Sequence, residues 1–176
     1  MLTSTQKKIY LTSIEHENLE TIRIARNDPL NRQYFREYRE ISKTAQEEWF
    51  KKNLQDTSQI NFEIHNFKTG ELVGTCSFNH IKMINLTAEF GILIFAEHQN
   101  KGYGKDALHT LLSYGFQDLN LHKIWAEVYS NNDNALEMYK KCGFEVEGKL
   151  KKHIYKNGNY IDLNIIGLLK EDWLKK

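Results

Sequence analysis

The chain has 176 residues, one proline, 40% hydrophobic residues and a formal net charge of +1. That length suits a single domain spanning 1–176 with a substantial core, and the apolar content excludes a disordered chain. The near-neutral charge gives no global field to draw nucleic acid, and no apolar run approaches the ~18 residues of a membrane span.

The start MLTSTQKKIYL lacks the apolar core of a secretory signal. Cys76 and Cys142 sit in apolar contexts without Cys-x-x-Cys spacing and read as reduced, buried thiols of a cytoplasmic protein. The seven histidines are scattered without ligand spacing, so no metal site is expected.

In chain order, residues 8–12 alternate and predict a short strand. Thr12 or Ser13 then offers an N-cap for a helix running through Asn18 to Asn27, broken at Asp28-Pro29 because the residue before proline is pushed out of the helical region. Residues 30–38 are dense in arginine and aromatics. Ser42 opens another helix, with Trp49, Phe50 and Leu54 as its apolar stripe. Strands are expected over 61–66, 71–81 and 86–95, the first two joined at Thr69-Gly70. Helical periodicity runs from 102 to 119. A strand over 123–129, a short helix over 135–141 ending at Gly143, and a hairpin turning at Asn157-Gly158 complete the chain. Meandering strands followed by strand–helix–strand alternation predict an α+β fold with a mixed sheet.

Gln99-Asn100-Lys101-Gly102-Tyr103-Gly104 follows an apolar strand and opens an amphipathic helix. Glycines there let the backbone turn tightly and present several N–H groups together, and the helix start adds its positive dipole end. The result is a compact seat for a pyrophosphate, with Lys101 and Lys105 as nearby cations. The three-glycine dinucleotide fingerprint and the Gly-Lys-Ser/Thr nucleotide loop are both missing. By itself the turn is also compatible with an ordinary strand-to-helix connection.

Several ordered motifs extend this one. Glu89-Phe90-Gly91-Ile92 precedes it, and Asn132-Asp133-Asn134-Ala135 with Tyr139 and Gly143-Phe144 follows. Together they resemble the core of the GNAT acetyltransferases. The ending Glu147-Gly148, Asn157-Gly158, Tyr160, Asp162, Leu168-Leu169 and Trp173 is similar to the subgroup of ribosomal-protein alanine and spermidine acetyltransferases. Asn100 stands where many members carry glycine, a change that asparagine's tolerance of positive φ accommodates. The resemblance implies a mostly antiparallel sheet whose splayed strand pair holds acetyl-CoA, with a direct acetyl transfer to a primary amine in a ternary complex. It implies that the backbone of Phe90, Gly91, Ile92, Leu93 and Ile94 holds the pantetheine arm like an added strand. It also implies that the strand from Lys123 diverges to admit the thioester and that Asn132 hydrogen-bonds the coenzyme.

The chemistry sets further requirements. The attacking amine must lose a proton, and the leaving thiolate gains from a nearby acid. Tyr139 matches the family's tyrosine beside the sulfur and is the candidate acid. Glu89, on the strand face opposite Phe90, is the candidate base. His80 is a second base candidate, and Asn79 is placed either to orient the amine or to satisfy the strand end. Asp162 is expected to pair with a cation across the final hairpin rather than meet substrate.

Residues 26–39 carry four arginines and three aromatics. Arg36 and Tyr38 are therefore candidate acceptor-binding residues. This segment faintly resembles aminosugar-nucleotide acetyltransferases, which implies an anionic acceptor clamped by arginine. It lacks the dense acidic cluster of a polyamine site. A packed face with solvated arginines accounts for the segment equally well, and binding of acyl-CoA without turnover is the non-enzymatic alternative. A homodimer is left open.

Overall fold

The structure, a computed structural model, describes residues 1–175. Strands β1 (Leu2–Thr3) and β2 (Ile9–Ser13) lead into helix α1 (Leu19–Asn27). The break expected at Asp28-Pro29 is a restart. Asp28 accepts a hydrogen bond from Leu30 N (2.7 Å) and Pro29 opens α2 (Pro29–Arg32), where a missing N–H costs nothing. Ser42 caps α3 (Lys43–Asn53) by accepting from Ala45 N at 3.1 Å. Trp49 and Phe50 of α3 pack as expected, but Leu54 lies just past the last turn and is 70% exposed.

Strands β3 (Ile60–Asn66), β4 (Leu72–Lys82) and β5 (Thr87–Ile94) form the expected meander. Helix α4 (Tyr103–Ser113) ends in a π-turn over Tyr114–Asp118, so the uninterrupted helix expected to 119 changes its hydrogen-bond step there. Strand β6 (Lys123–Tyr129), helix α5 (Asp133–Cys142), and the hairpin β7 (Glu145–Lys156) and β8 (Asn159–Leu169) follow, with the short α6 (Lys170–Trp173) last. Asn157 and Gly158 have φ of 50° and 81°, the paired positive values that a tight two-residue hairpin requires. Asp162 accepts from Lys152 N (2.7 Å) and pairs with Lys149 (2.8 Å), the hairpin role expected of it.

The eight strands form one sheet in the order β1-β2-β3-β4-β5-β6-β8-β7. Every neighbouring pair is antiparallel except β5 and β6, which run parallel. Alternation along β5 divides the interior. Ala88, Phe90, Ile92 and Ile94 pack towards a core containing Ala107, Leu108 and Leu111 of α4 and Tyr139 of α5. Leu93 turns the other way, towards Ile14, Ile22 and Phe95, with Trp49 and Phe50. Cys76 and Cys142 are buried and form no disulfide, and burial pushes the Cys76 thiol pKa well up. Among the described residues no helix is long and apolar enough to cross a membrane.

Candidate active site

The parallel pairing of β5 and β6 is short. It runs from Thr87 opposite Lys123 to Glu89 opposite Trp125 and stops. Beyond it, Phe90 to Ile94 remain paired only with β4, and Ala126 to Tyr129 only with β8. The strands part, leaving a β5 edge whose backbone groups face a gap. A cavity of about 510 Å³ opens there, lined on its two sides by Phe90 to Leu93 and by Ala126 to Tyr129. Unpaired strand edges seek hydrogen-bonding partners, and an extended pantetheine chain with two amides is such a partner.

Tyr139 sits on one side of this split. It projects from α5, is buried, and meets Phe90 edge-to-face at 5.1 Å. Phe144 packs beside both rings. Burial pushes the phenol pKa well above its ordinary value, with the Cys142 thiol adding to the effect, so the hydroxyl is firmly protonated near neutrality. Asn132 lines the cavity and caps α5, accepting from Ala135 N at 3.4 Å. Its carbonyl oxygen therefore has a structural task.

Glu89 sits on the other side. It is the last residue of the paired stretch and its side chain is 5% exposed. Arg36 donates to Glu89 Oε1, and its Nε lies 3.0 Å from Glu127 Oε2, so one guanidinium bridges the two diverging strands. His80 Nδ1 is 3.6 Å from Glu89 Oε2, at a register break in β4 where His80 adopts φ of 51°. Asn79, directly opposite Glu89, donates to Ser77 Oγ (2.9 Å). These side chains lie close over Gly91, where an added Cβ would meet Ser77 Oγ at 3.0 Å. The fold thus brings Glu89, His80, Asn79 and Arg36 together.

Tyr38 does not join them. It is 77% exposed and stands outside the cavity lining, which Tyr34 and Phe35 reach instead. Glu37 accepts from both Tyr38 N and Arg39 N, and the Tyr38 carbonyl accepts from Arg32, a tight local turn that leaves the ring beneath Arg39 in solvent.

Residues 26–39 lack a dense acidic cluster by themselves, but carboxylates from elsewhere in the chain line the same cavity. Glu37, Asp56, Glu89 and Glu127 come from four separate places in the chain and line one cavity with two guanidiniums, Arg26 and Arg36. Hydrogen bonds from Arg39 N and Ser58 hold the Glu37 and Asp56 carboxyls below the usual carboxylate range. Glu127 and Asp56 were missed by sequence reading. The one sequence signal for Glu127 is its alternation on 123–129 with the buried Ile124, Ala126 and Val128.

The glycine turn lies past the end of β5. Asn100 (φ 61°) and Gly102 (φ 82°) are both left-handed, and Gly102 is the N-cap of α4. A residue there without a Cβ leaves the helix-terminal N–H groups open to an anion. Lys8 Nζ lies 2.9 Å from where a Gly102 Cβ would stand, and sequence reading missed it. Lys101 and Lys105 are exposed beside the turn. Two of the turn's side chains serve the scaffold. Gln99 donates to the Ile94 carbonyl (3.1 Å) and closes the β5 edge there, while the Tyr103 hydroxyl accepts from Asn66 (2.8 Å). Gly104 packs against Ile94 and Met138.

An open strand edge, ending beside a left-handed turn at a helix start and opening midway onto a protonated phenol, suits an acyl-coenzyme A thioester. The class so defined is the coenzyme A-dependent acyltransferases. The chain belongs to the acetyltransferase (GNAT) domain family, whose model matches residues 8–145. It is an amine N-acetyltransferase that uses acetyl-CoA. It is 34% identical over 130 residues to the spermidine N(1)-acetyltransferase of Vibrio cholerae, covering 74% of this chain and 75% of that one. The crystal structure of spermidine N-acetyltransferase from Vibrio cholerae in complex with CoA and spermine superposes with a TM-score of 0.91 at 31% identity, over 95% of this chain and 98% of that one. A dodecameric structure of that enzyme in an intermediate state matches with a TM-score of 0.84 at 32% identity, over 95% and 96% of the two chains.

Proposed function

We propose that this enzyme acetylates a polyamine-like acceptor, a primary amine carried on a cationic chain, by direct transfer within a ternary complex. The observation that carries this reading is the charge of the acceptor cavity, with four carboxylates against two guanidiniums. Such a lining attracts ammonium groups and repels the diphosphate of an aminosugar nucleotide. The similarity to spermidine acetyltransferases supports the same reading.

The acetyl thioester is a substrate held along β5, with its phosphates at the α4 turn. The acceptor's ammonium enters from the Glu89 side and loses one proton to the Glu89 carboxylate, which passes it to solvent. The amine lone pair then attacks the thioester carbonyl carbon. A backbone N–H on the open β5 edge faces the oxyanion. The C–N bond forms, the C–S bond breaks, and sulfur leaves with the electron pair. Tyr139 donates its proton into a charge-assisted hydrogen bond on that sulfur, and the second amine proton restores the balance. The products are the N-acetyl amine, CoA thiol and one released proton. Acid and base stand on opposite sides of the split, so neither blocks the other's approach.

The protein is also proposed to act as a multimer. Val146 and Leu150 of β7, with Tyr155 and Tyr160 beside the hairpin turn, are exposed at the end of the sheet, apolar surface that self-association would cover. The dodecameric relative supports this.

Competition decides the acceptor class. Steady-state kcat/KM for spermidine is expected to exceed that for any aminosugar nucleotide by at least about 100-fold, corresponding to about 2.7 kcal/mol of discrimination. A preference of the opposite sign rejects the polyamine reading.

A further inference from the structure

We propose that Arg36 is a built-in occupant of the acceptor's cation seat, which the incoming ammonium must displace before Glu89 can take its proton. This rests on the polyamine reading for the identity of the displacing cation, but the occupancy itself rests on geometry alone.

Arg36 lies in the connection between α2 and α3. That connection is tied down at both ends. Lys156 Nζ donates to the carbonyls of Arg32 (2.8 Å) and Phe35. Asn27 holds Ile41 through two hydrogen bonds of 2.9 Å, and Arg23 donates to the Ile41 carbonyl at 3.0 Å. Between these anchors, Arg36 reaches across to Glu89 and Glu127. The guanidinium is 52% exposed, whereas the Glu89 side chain is 5% exposed.

A carboxylate that buried needs a counter-ion, and leaving it unpaired is costly. Exchanging one cation for another at the same carboxylate is nearly balanced, because the charge count does not change. Arg36 therefore keeps Glu89 compensated in the acceptor-free enzyme, and an ammonium takes over when it arrives. A neutral or anionic molecule brings no replacement charge and leaves Arg36 seated. The residue acts as a selector for cationic acceptors, and it weakens their apparent affinity by the fraction of molecules in which the seat is taken.

Two measurements test this. With spermidine as the probe, Arg36→Gln is expected to lower KM about three-fold or more, with acetyl-CoA affinity by calorimetry unchanged. A raised KM instead makes Arg36 an acceptor clamp, and a fall in kcat with KM unmoved makes it a positioning residue for Glu89. Either result overturns the proposal. The second measurement needs no acceptor. Glu127→Gln removes one anchor, and amide hydrogen exchange over 35–40 is expected to accelerate while exchange in β5 and β6 does not. Unchanged exchange there overturns the proposal. If that exchange accelerates but the wild-type enzyme does not acetylate spermidine, the occupied seat stands and the polyamine reading fails.

Discussion

Glu89 and Tyr139 face one opening from opposite sides of the sheet, linked by Phe90, which follows Glu89 in the chain and meets the Tyr139 ring at 5.1 Å. The pleat of β5 sends adjacent residues to opposite faces. Where β6 departs after Trp125, the two faces communicate through the gap. The proposed base on one face and the proposed acid on the other can then serve the incoming amine and the leaving sulfur without competing for one position.

Removing only the hydroxyl tests the acid. Tyr139→Phe keeps the packing against Phe90 and Phe144 and is expected to lower kcat by about 100-fold or more. Binding of acetyl-CoA, measured by calorimetry, should be nearly unchanged. Full turnover, with chemistry shown to be rate-limiting, would assign this ring to the core alone.

The same tyrosine sets a pH expectation. Burial raises its pKa, so the protonated acid persists beyond the ordinary tyrosine value of about 10. The rate profile should therefore show no descending limb from this group below about pH 10. Stability follows the same linkage. The unfolded chain releases this proton first, so the contribution is intact below about pH 10 and is lost as pH rises towards the folded value. Tyr139→Phe should lessen alkaline denaturation. A descending kcat limb centred near pH 8 that disappears in this variant would contradict the assignment.

Gly102 tests the phosphate turn. A β-branched residue at φ of 82° is strained by roughly 1–2 kcal/mol and crowds Lys8 Nζ. Gly102→Val should stay folded, with a melting temperature several degrees lower, and should bind acetyl-CoA at least about ten-fold more weakly, a loss of about 1.4 kcal/mol. An unchanged dissociation constant in a folded variant would move the coenzyme's phosphates elsewhere.

The local structure around the proposed coenzyme half of the site was legible in the sequence because its parts are close together in the chain. Turn chemistry marks 99–104 and an apolar run marks the strand before it, while Tyr139 on α5 was singled out by its match to the family's tyrosine. The acceptor half was not. Glu37, Asp56, Glu89 and Glu127 are widely separated along the chain and converge only through β5–β6 pairing and the connections on either side of α3. Residues 26–39 read alone look basic, which pointed towards an anionic acceptor, yet Arg36 is already paired with two carboxylates. Most strand limits were close to those expected, but β1, two residues long, is too short for alternation to mark.

Assembly is tested at the hairpin. Leu150→Lys places a charge at an exposed apolar position of β7 and should shift the enzyme to smaller species in analytical ultracentrifugation. A monomeric wild-type protein at working concentration would remove the multimer proposal.

The acceptor claim is tested most directly by progress curves that put spermidine and an aminosugar nucleotide in competition at equal concentration with limiting acetyl-CoA. A cavity with four carboxylates against two guanidiniums should direct nearly all the acetyl groups to spermidine, and added salt should weaken that preference. Acetyl transfer mainly to the aminosugar nucleotide would contradict the account.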